Sequence, residues 1–255
     1  MNPYRPAVAA LALLILTGCG SSSSPTAGGS TGTPRVTTSA ADGPITVFAA
    51  ASLKKAFTAE ATAFEKAHPG AHVTFSFAGS QALVAQVQQG APVDVLATAD
   101  ESTMKASGLS GARVFARNRL AIITAPGNPK HLSTLADLSR AGVTVVLAGP
   151  TVPVGKAAAK ALKAAGVTVT PVSLEQDVTG VVTKVRLGEA DAGIAYVTDV
   201  TSAKGTVAGT DLPAISNSYP IAVARAGRTA QAFADFVLSP DGLAVLATFG
   251  FLPPA

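Results

Sequence analysis

The sequence predicts an α/β fold built on mostly parallel sheets, and three observations carry that prediction. Short apolar runs recur at residues 45–50, 73–78, 120–125, 143–148, 167–172, 190–197 and 219–224, with the length and β-branched content of strands covered on both faces. Several of these runs are followed by a stretch with apolar residues at helical spacing. Small or polar residues sit where one gives way to the other. Strand, helix and strand in alternation require right-handed crossovers, and these make neighbouring strands parallel.

The first unit sets the pattern. Residues 45–50 read as a strand that runs without a loop into a helix with Leu53, Phe57, Ala61 and Phe64 on one stripe. His68-Pro69-Gly70 ends it. The second strand leads through Gly79-Ser80 to a helix with Leu83, Val84 and Val87 on one face, closed by Gly90. Residues 90–100 form a short strand ending in acidic residues. The strand at 120–125 is stopped by Pro126-Gly127-Asn128-Pro129. A short helix follows at 135–141, then a strand at 143–148 and a turn at 149–155. An Ala-rich helix over 156–165 is closed by Gly166, and a strand takes 167–172. Residues 173–177 lead to a helix with Val178, Val181, Val182 and Val185 aligned, and the next strand ends at Tyr196. After 219–224, short helices at 230–238 and 242–249 complete the chain.

At 255 residues the chain can bury one large core or two small ones. It is 48% hydrophobic and 13% charged, which fits an Ala/Val-rich packed protein and excludes a disordered one. A net charge of +4, scattered along the chain, gives no footprint for nucleic acid.

Residues 1–18 read as a signal peptide, with Arg5 before an apolar run at 7–16 that is too short to span a membrane. The run leads to Leu16-Thr17-Gly18-Cys19, which resembles the lipobox of bacterial lipoproteins. That resemblance implies a lipidated Cys19 as the mature first residue. Cys19 is the only cysteine, so the folded part has no disulfide. Residues 19–42 are rich in Ser, Thr, Gly and Pro and read as a flexible tether between anchor and fold.

Four junctions share one character: Ser52, Gly79-Ser80, Val154-Gly155 and Asp177-Val178. The first N–H groups of a helix have no partner within it, and the macrodipole adds about half a positive charge there. A strand ending at such a helix start is an anion site. None of the four junctions carries Lys or Arg. The plainer alternative is that Ser52 and Ser80 are N-caps and that Tyr196 is a core aromatic.

Other chemistries lack their parts. Pro69-Gly70 keeps His68 and His72 off a shared helix face and His131 is isolated, so no metal site is expected. Residues 149–156 have the wrong spacing for a phosphate loop, with Ala157 where a hydroxyl would hold Mg²⁺. No Gly-x-Ser-x-Gly elbow is present and no His stands near a junction serine. Asp94, Asp100 and Asp177 lie on different turns and are expected to cap helices or hinge segments.

The blocks Val47-Phe48-Ala49-Ala50-Ala51-Ser52-Leu53, Phe77-Ala78-Gly79-Ser80, Gly90-Ala91-Pro92-Val93-Asp94-Val95, Val152-Pro153-Val154-Gly155, Glu175-Gln176-Asp177-Val178, Gly193-Ile194-Ala195-Tyr196 and Ser239-Pro240-Asp241-Gly242, in this order, resemble the periplasmic molybdate-binding proteins of ABC transporters. The resemblance covers residues 45–253. It implies the two-lobed type II solute-binding fold, each lobe a mostly parallel sheet flanked by helices, with the ligand cleft between them. Lobe one would be 43–119 plus 219–255 and lobe two 120–218, with hinge strands near Leu120 and Tyr219.

The resemblance also implies the ligand shell: hydroxyls of Ser52, Ser80 and Tyr196, and backbone N–H groups at Ser52, Ser80, Val154 and Val178. Two positions depart from the family pattern. Gly79 stands where a serine is common and Val154 where Ala is common. The implied ligand is molybdate or tungstate and the implied partners are a membrane permease and its cytoplasmic ATPase. The implied protein is a monomer, held to the membrane through Cys19, with no cofactor and no catalysis. A receptor for another tetrahedral oxyanion such as sulfate, and an exported hydrolase using Ser52 or Ser80, are the alternatives.

Physical bookkeeping agrees with such a shell. A bare dianion in an apolar site costs tens of kcal/mol. Roughly six or seven hydrogen bonds to a charged acceptor, at about 1.5–3 kcal/mol each, return roughly 10–20 kcal/mol. After the ordering costs of association this leaves room for the roughly 8–12 kcal/mol of a micromolar to nanomolar complex.

Overall fold

The computed structural model describes residues 41–254. The signal peptide, Cys19 and nearly all of the tether lie outside the described residues. The tether as read to residue 42 is too long by two residues: Ala41 is buried and the Asp42 carbonyl accepts a hydrogen bond from Thr229 Oγ1 at 2.6 Å.

Strand β1 (Gly43–Ala50) passes through one 3₁₀ turn (Ala51–Leu53) into α1 (Lys54–Ala67). Strand β2 (Ala71–Ala78) is followed by α2 (Ser80–Gln88), and β3 (Val95–Ala97) by α3 (Glu101–Ala106). The long β4 (Arg113–Thr124) leads through a 3₁₀ turn at Leu135–Ser139 to β5 (Val145–Ala148) and α4 (Pro153–Ala164). Then come β6 (Ser173–Glu175), α5 (Val178–Arg186), β7 (Ala192–Tyr196) and α6 (Val197–Ala203). Strand β8 (Ala208–Val223), α7 (Arg228–Val237) and α8 (Pro240–Thr248) finish the fold.

All eight strands join one sheet in the order β2-β1-β3-β8-β4-β7-β5-β6. The strands β2, β1 and β3 at one end are parallel, as are β7, β5 and β6 at the other. Between them β8 and β4 run antiparallel to each other and to their outer neighbours. Two parallel halves are therefore stitched by two long strands. The β4–β8 register slips once between Val114 and Ala116, and again between Arg119 and Leu120, where the partner jumps from Ser216 to Leu212.

The apolar stripe of α1 packs as its spacing requires. Leu53, Phe57 and Phe64 are fully buried and Ala61 nearly so. Phe57 and Phe64 meet Phe233 of α7 edge-on, with ring centroids 6.1 and 5.3 Å apart. Burying each such ring stabilises the fold by about 1.5–3 kcal/mol. Glu60 shares this buried surface, and neither of its carboxylate oxygens has a hydrogen-bond partner. Desolvation pushes its carboxyl up to about 9, so it is carried neutral at ordinary pH.

Several elements depart from the sequence reading. Residues 167–172 are not a strand. Pro171 has no N–H for a ladder, and the pairing with β5 falls instead on Ser173–Glu175. Strand β8 begins at Ala208 rather than 219, and β4 at Arg113 rather than 120. The extra residues of β8 are half-buried or exposed and those of β4 mix all three kinds of burial, so neither segment carries a continuous apolar run. Helix α4 starts at Pro153, which suits the first turn because its missing N–H would be unpartnered there anyway. Helices α3 and α6, of six and seven residues, are too short for a periodic signal.

Candidate functional site

The strand-to-helix junctions converge. A small cavity, about 20 Å³, is lined by Ala50, Ala51, Ser52, Gly79, Ser80, Ala99, Val152, Pro153, Val154, Asp177, Val178 and Tyr196. The five candidates Ser52, Ser80, Val154, Val178 and Tyr196 are all among these, although they come from five separate connections of the chain. Helices α2, α4 and α5 each begin at this wall, as does the 3₁₀ turn before α1. Their unpartnered N–H groups give it a positive partial charge. No Lys or Arg lines it. A neighbouring groove shares Ala51 and Ser52 and carries Lys54, Lys55 and Arg186.

Neither serine is a helix cap. The chain enters a 3₁₀ turn at Ala51, which places Ser52 inside the turn, and the caps before that turn and before α1 are Ala50 and Leu53. The Ser52 hydroxyl instead lies 3.1 Å from the Tyr219 hydroxyl. Ser80 is the first residue of α2 rather than its cap, and its Oγ accepts from the Ala99 N–H at 3.1 Å. Both hydroxyls are thus free of the duty that would have explained them most simply.

Tyr196 ends β7 and is buried, its ring edge-on to Tyr219 with centroids 5.9 Å apart. Its hydroxyl accepts a hydrogen bond from Asn217 Nδ2 at 2.9 Å. Burial pushes both phenols well above their ordinary range, with the neighbouring Tyr219 and Asp199 adding to the effect at Tyr196. Both remain protonated donors at any physiological pH.

The acidic residues do what local geometry asks. Asp177 caps α5 by accepting from the Gly180 N–H at 3.0 Å, and Asp100 caps α3 by accepting from the Thr103 N–H at 2.6 Å. Asp94 accepts from the Thr46 N–H at 2.7 Å and pairs with Arg225 at 3.1 Å. Asp199, which the sequence reading did not single out, accepts from the Tyr196 N–H at 3.0 Å. Burial pushes its carboxyl up to about 7, against the pull of that N–H, with Asp177 adding to the rise. Among the described residues no cluster of His, Cys, Asp and Glu could hold a metal ion.

Gly79, which departs from the family pattern, stands where a side chain has no room. A Cβ there would stand 2.5 Å from the Gln176 carbonyl oxygen, a backbone atom in the turn before α5. Its φ of −58° suits any residue, so space and not conformation excludes a side chain. Beside it, Gln81 Nε2 donates to the same carbonyl at 2.8 Å. Lys156 of α4 reaches across to α3, donating to Thr103 Oγ1 at 2.8 Å and Ser102 Oγ at 3.0 Å. Val154, the second departure, is buried and faces the cavity.

Residues 45–252 match the model of the bacterial extracellular solute-binding protein family. The chain is 42% identical over 223 residues to the molybdate-binding protein ModA of Mycobacterium tuberculosis, covering 82% of this chain and 85% of that one. It is 32% identical over 230 residues to ModA of Escherichia coli, covering 82% and 89%. Its fold superposes on the periplasmic molybdate-binding protein of Azotobacter vinelandii with a TM-score of 0.72 at 20% identity, covering 83% of this chain and all of that one. A cavity walled by helix starts at the ends of strands is thus set in a fold and a sequence that agree on one assignment: the chain belongs to the bacterial extracellular solute-binding proteins.

Proposed function

We propose that the chain captures molybdate, and tungstate with it, outside the cytoplasmic membrane and delivers the ion to an ABC permease driven by a cytoplasmic ATPase. One observation carries the reading: the cavity is lined by hydroxyls and helix starts and by no cation. A tetrahedral dianion has acceptors on every side and no proton, so a shell of donors suits it. The hydroxyls of Ser52, Ser80 and Tyr196 and the N–H groups of Ser52, Ser80, Val154 and Val178 are the proposed shell. The molybdate-binding relatives favour this ion over sulfate.

The ion would be gripped between two lobes, 43–119 plus 219–255 and 120–218. The register slip at Arg119/Leu120 supports β4 and β8 as the crossing strands. The contacts of Gln81 with Gln176 and of Lys156 with Thr103 are the latches of a closed state. The protein acts as a monomeric receptor and not as an enzyme, since the partners of Ser52 and Ser80 are a tyrosine and a backbone amide, with no base at either.

Molybdate and tungstate at about a hundred times their dissociation constants should raise the melting temperature by about 5–10 °C, with sulfate and phosphate giving less. A shift with phosphate or sulfate alone would contradict the reading. Lipidation of Cys19 would hold the receptor at the membrane, for no helix among the described residues is long and apolar enough to cross one. Cys19→Ala should therefore move the protein out of the membrane fraction or block its maturation. A variant still bound to membranes would refute the anchor.

A further inference from the structure

We infer that Asn217, Asn118 and Tyr219 are positioning residues that fix which way the Tyr196 and Ser52 hydroxyls point their protons. The inference rests on the anion site proposed above. It starts from two asparagines that face each other across β4 and β8.

The orientation of each amide is pinned independently of the tyrosines. Asn217 Nδ2 donates to the Ala99 carbonyl at 3.1 Å, and a carbonyl can only accept. The nitrogen, not the oxygen, therefore occupies that end. The same nitrogen stands 2.9 Å from Tyr196 Oη. The phenol accepts there, and its own proton is left for the cavity. Asn118 is fully buried, and its Oδ1 accepts from the Arg119 N–H at 3.0 Å. Its Nδ2 then donates to Thr198 Oγ1 at 2.7 Å and to Tyr219 Oη at 3.3 Å.

Tyr219 passes the direction on. Its hydroxyl lies 3.1 Å from Ser52 Oγ, a contact that needs one proton. With an acceptor-only anion in the cavity, the Ser52 proton goes to the anion and Tyr219 must supply the other. One assignment then satisfies both chains: Asn118 to Tyr219 to Ser52 to anion, and Asn217 to Tyr196 to anion. Ser80 obeys the same logic, for its Oγ accepts from the Ala99 N–H and keeps its proton free. The single peptide group of residue 99 serves both sides, its N–H to Ser80 and its carbonyl to Asn217. A protonated oxyanion would bring a donor against donors, so the network selects the fully ionised form.

The test is a pair of double-mutant cycles read by titration calorimetry with molybdate at pH 8, on the full chain in detergent. Asn217→Asp keeps the shape and replaces the donor with an acceptor that draws the Tyr196 proton away. It should weaken binding about thirtyfold or more, and the penalty should fall at least about threefold when Tyr196→Phe is already present. Equal penalties in the two backgrounds would mean that charge or fold is responsible, and would overturn the relay. Should Asn217→Asp fail to fold, Tyr219→Phe gives the second cycle. Its penalty should be about tenfold in the native background and largely vanish with Ser52→Ala, and equal penalties again overturn the relay. If Tyr196→Phe and Ser52→Ala alone leave affinity unchanged, the anion site itself is wrong and the relay falls with it. A weakened single variant with additive cycles condemns the relay only.

Discussion

Tyr196→Phe should weaken molybdate binding about tenfold to a hundredfold, which is about 1.5–3 kcal/mol for one hydrogen bond to a charged acceptor. The substitution removes one oxygen and leaves the ring edge-on to Tyr219. Asn217 Nδ2 keeps the Ala99 carbonyl for one of its two N–H groups and loses the acceptor of the other, a cost that falls on the free and the bound protein alike. The loss therefore reads the bond to the anion rather than damage to the fold. Ser52→Ala should cost a similar factor, because the Ser52 hydroxyl caps no helix and its one hydrogen-bond partner among the described residues is Tyr219. Titration calorimetry checks both, with melting curves as the control for folding. Unchanged affinity in both variants would remove these residues from the site.

The second large effect is expected at a residue with no side chain. Gly79→Ala places a methyl group 2.5 Å from the Gln176 carbonyl oxygen, far inside van der Waals contact. The Gln81 side chain, equally close, can swing aside, but the Gln176 carbonyl belongs to the backbone and cannot. Relief requires the two walls to separate, which stretches the bond from Gln81 Nε2 to the same carbonyl. Overpacking of this kind costs about 1–3 kcal/mol. If the walls part on opening and meet on closing, that cost falls on the closed form alone. Affinity for molybdate should then drop about tenfold to a hundredfold while the ligand-free melting temperature stays nearly constant. Titration of the variant with unchanged affinity would show that the contact is not part of ligand capture. Gly79 also accounts for one departure from the family pattern, since a serine there would meet the same obstacle.

The site was legible in the sequence to the extent that it is built from junctions. A strand that ends at a helix start is visible as an apolar run meeting small or polar residues, and four such places carried Ser52, Ser80, Val154 and Val178, now found around one cavity with Tyr196, which only the family resemblance had added. The roles of the two serines were less legible. An N-cap and a residue just inside a helix look alike in sequence, and only the 3₁₀ turn at Ala51–Leu53 separates them. The supporting residues were not legible at all. Asn118 and Asn217 lie in the half-polar parts of β4 and β8, where Arg117, Arg119, Ser216 and Ser218 flank them and no apolar run marks the strand. A polar residue with strand residues on both sides was the available signal. It points to a buried hydrogen-bond network only once the pairing of the two strands is known. The missed strand at Ser173–Glu175 has the same origin, for three residues after Pro171 carry too little periodicity to compete with the apolar run before it.

The most direct measurement is a crystal structure with molybdate bound, the ion located by the anomalous scattering of molybdenum. Its oxygens should lie about 2.7–3.1 Å from the hydroxyls of Ser52, Ser80 and Tyr196 and from the amide nitrogens of Val154 and Val178, with no Lys or Arg in contact. An ion seated elsewhere, or one held by a cationic side chain, would contradict the claim that neutral donors gathered from separate turns hold the dianion.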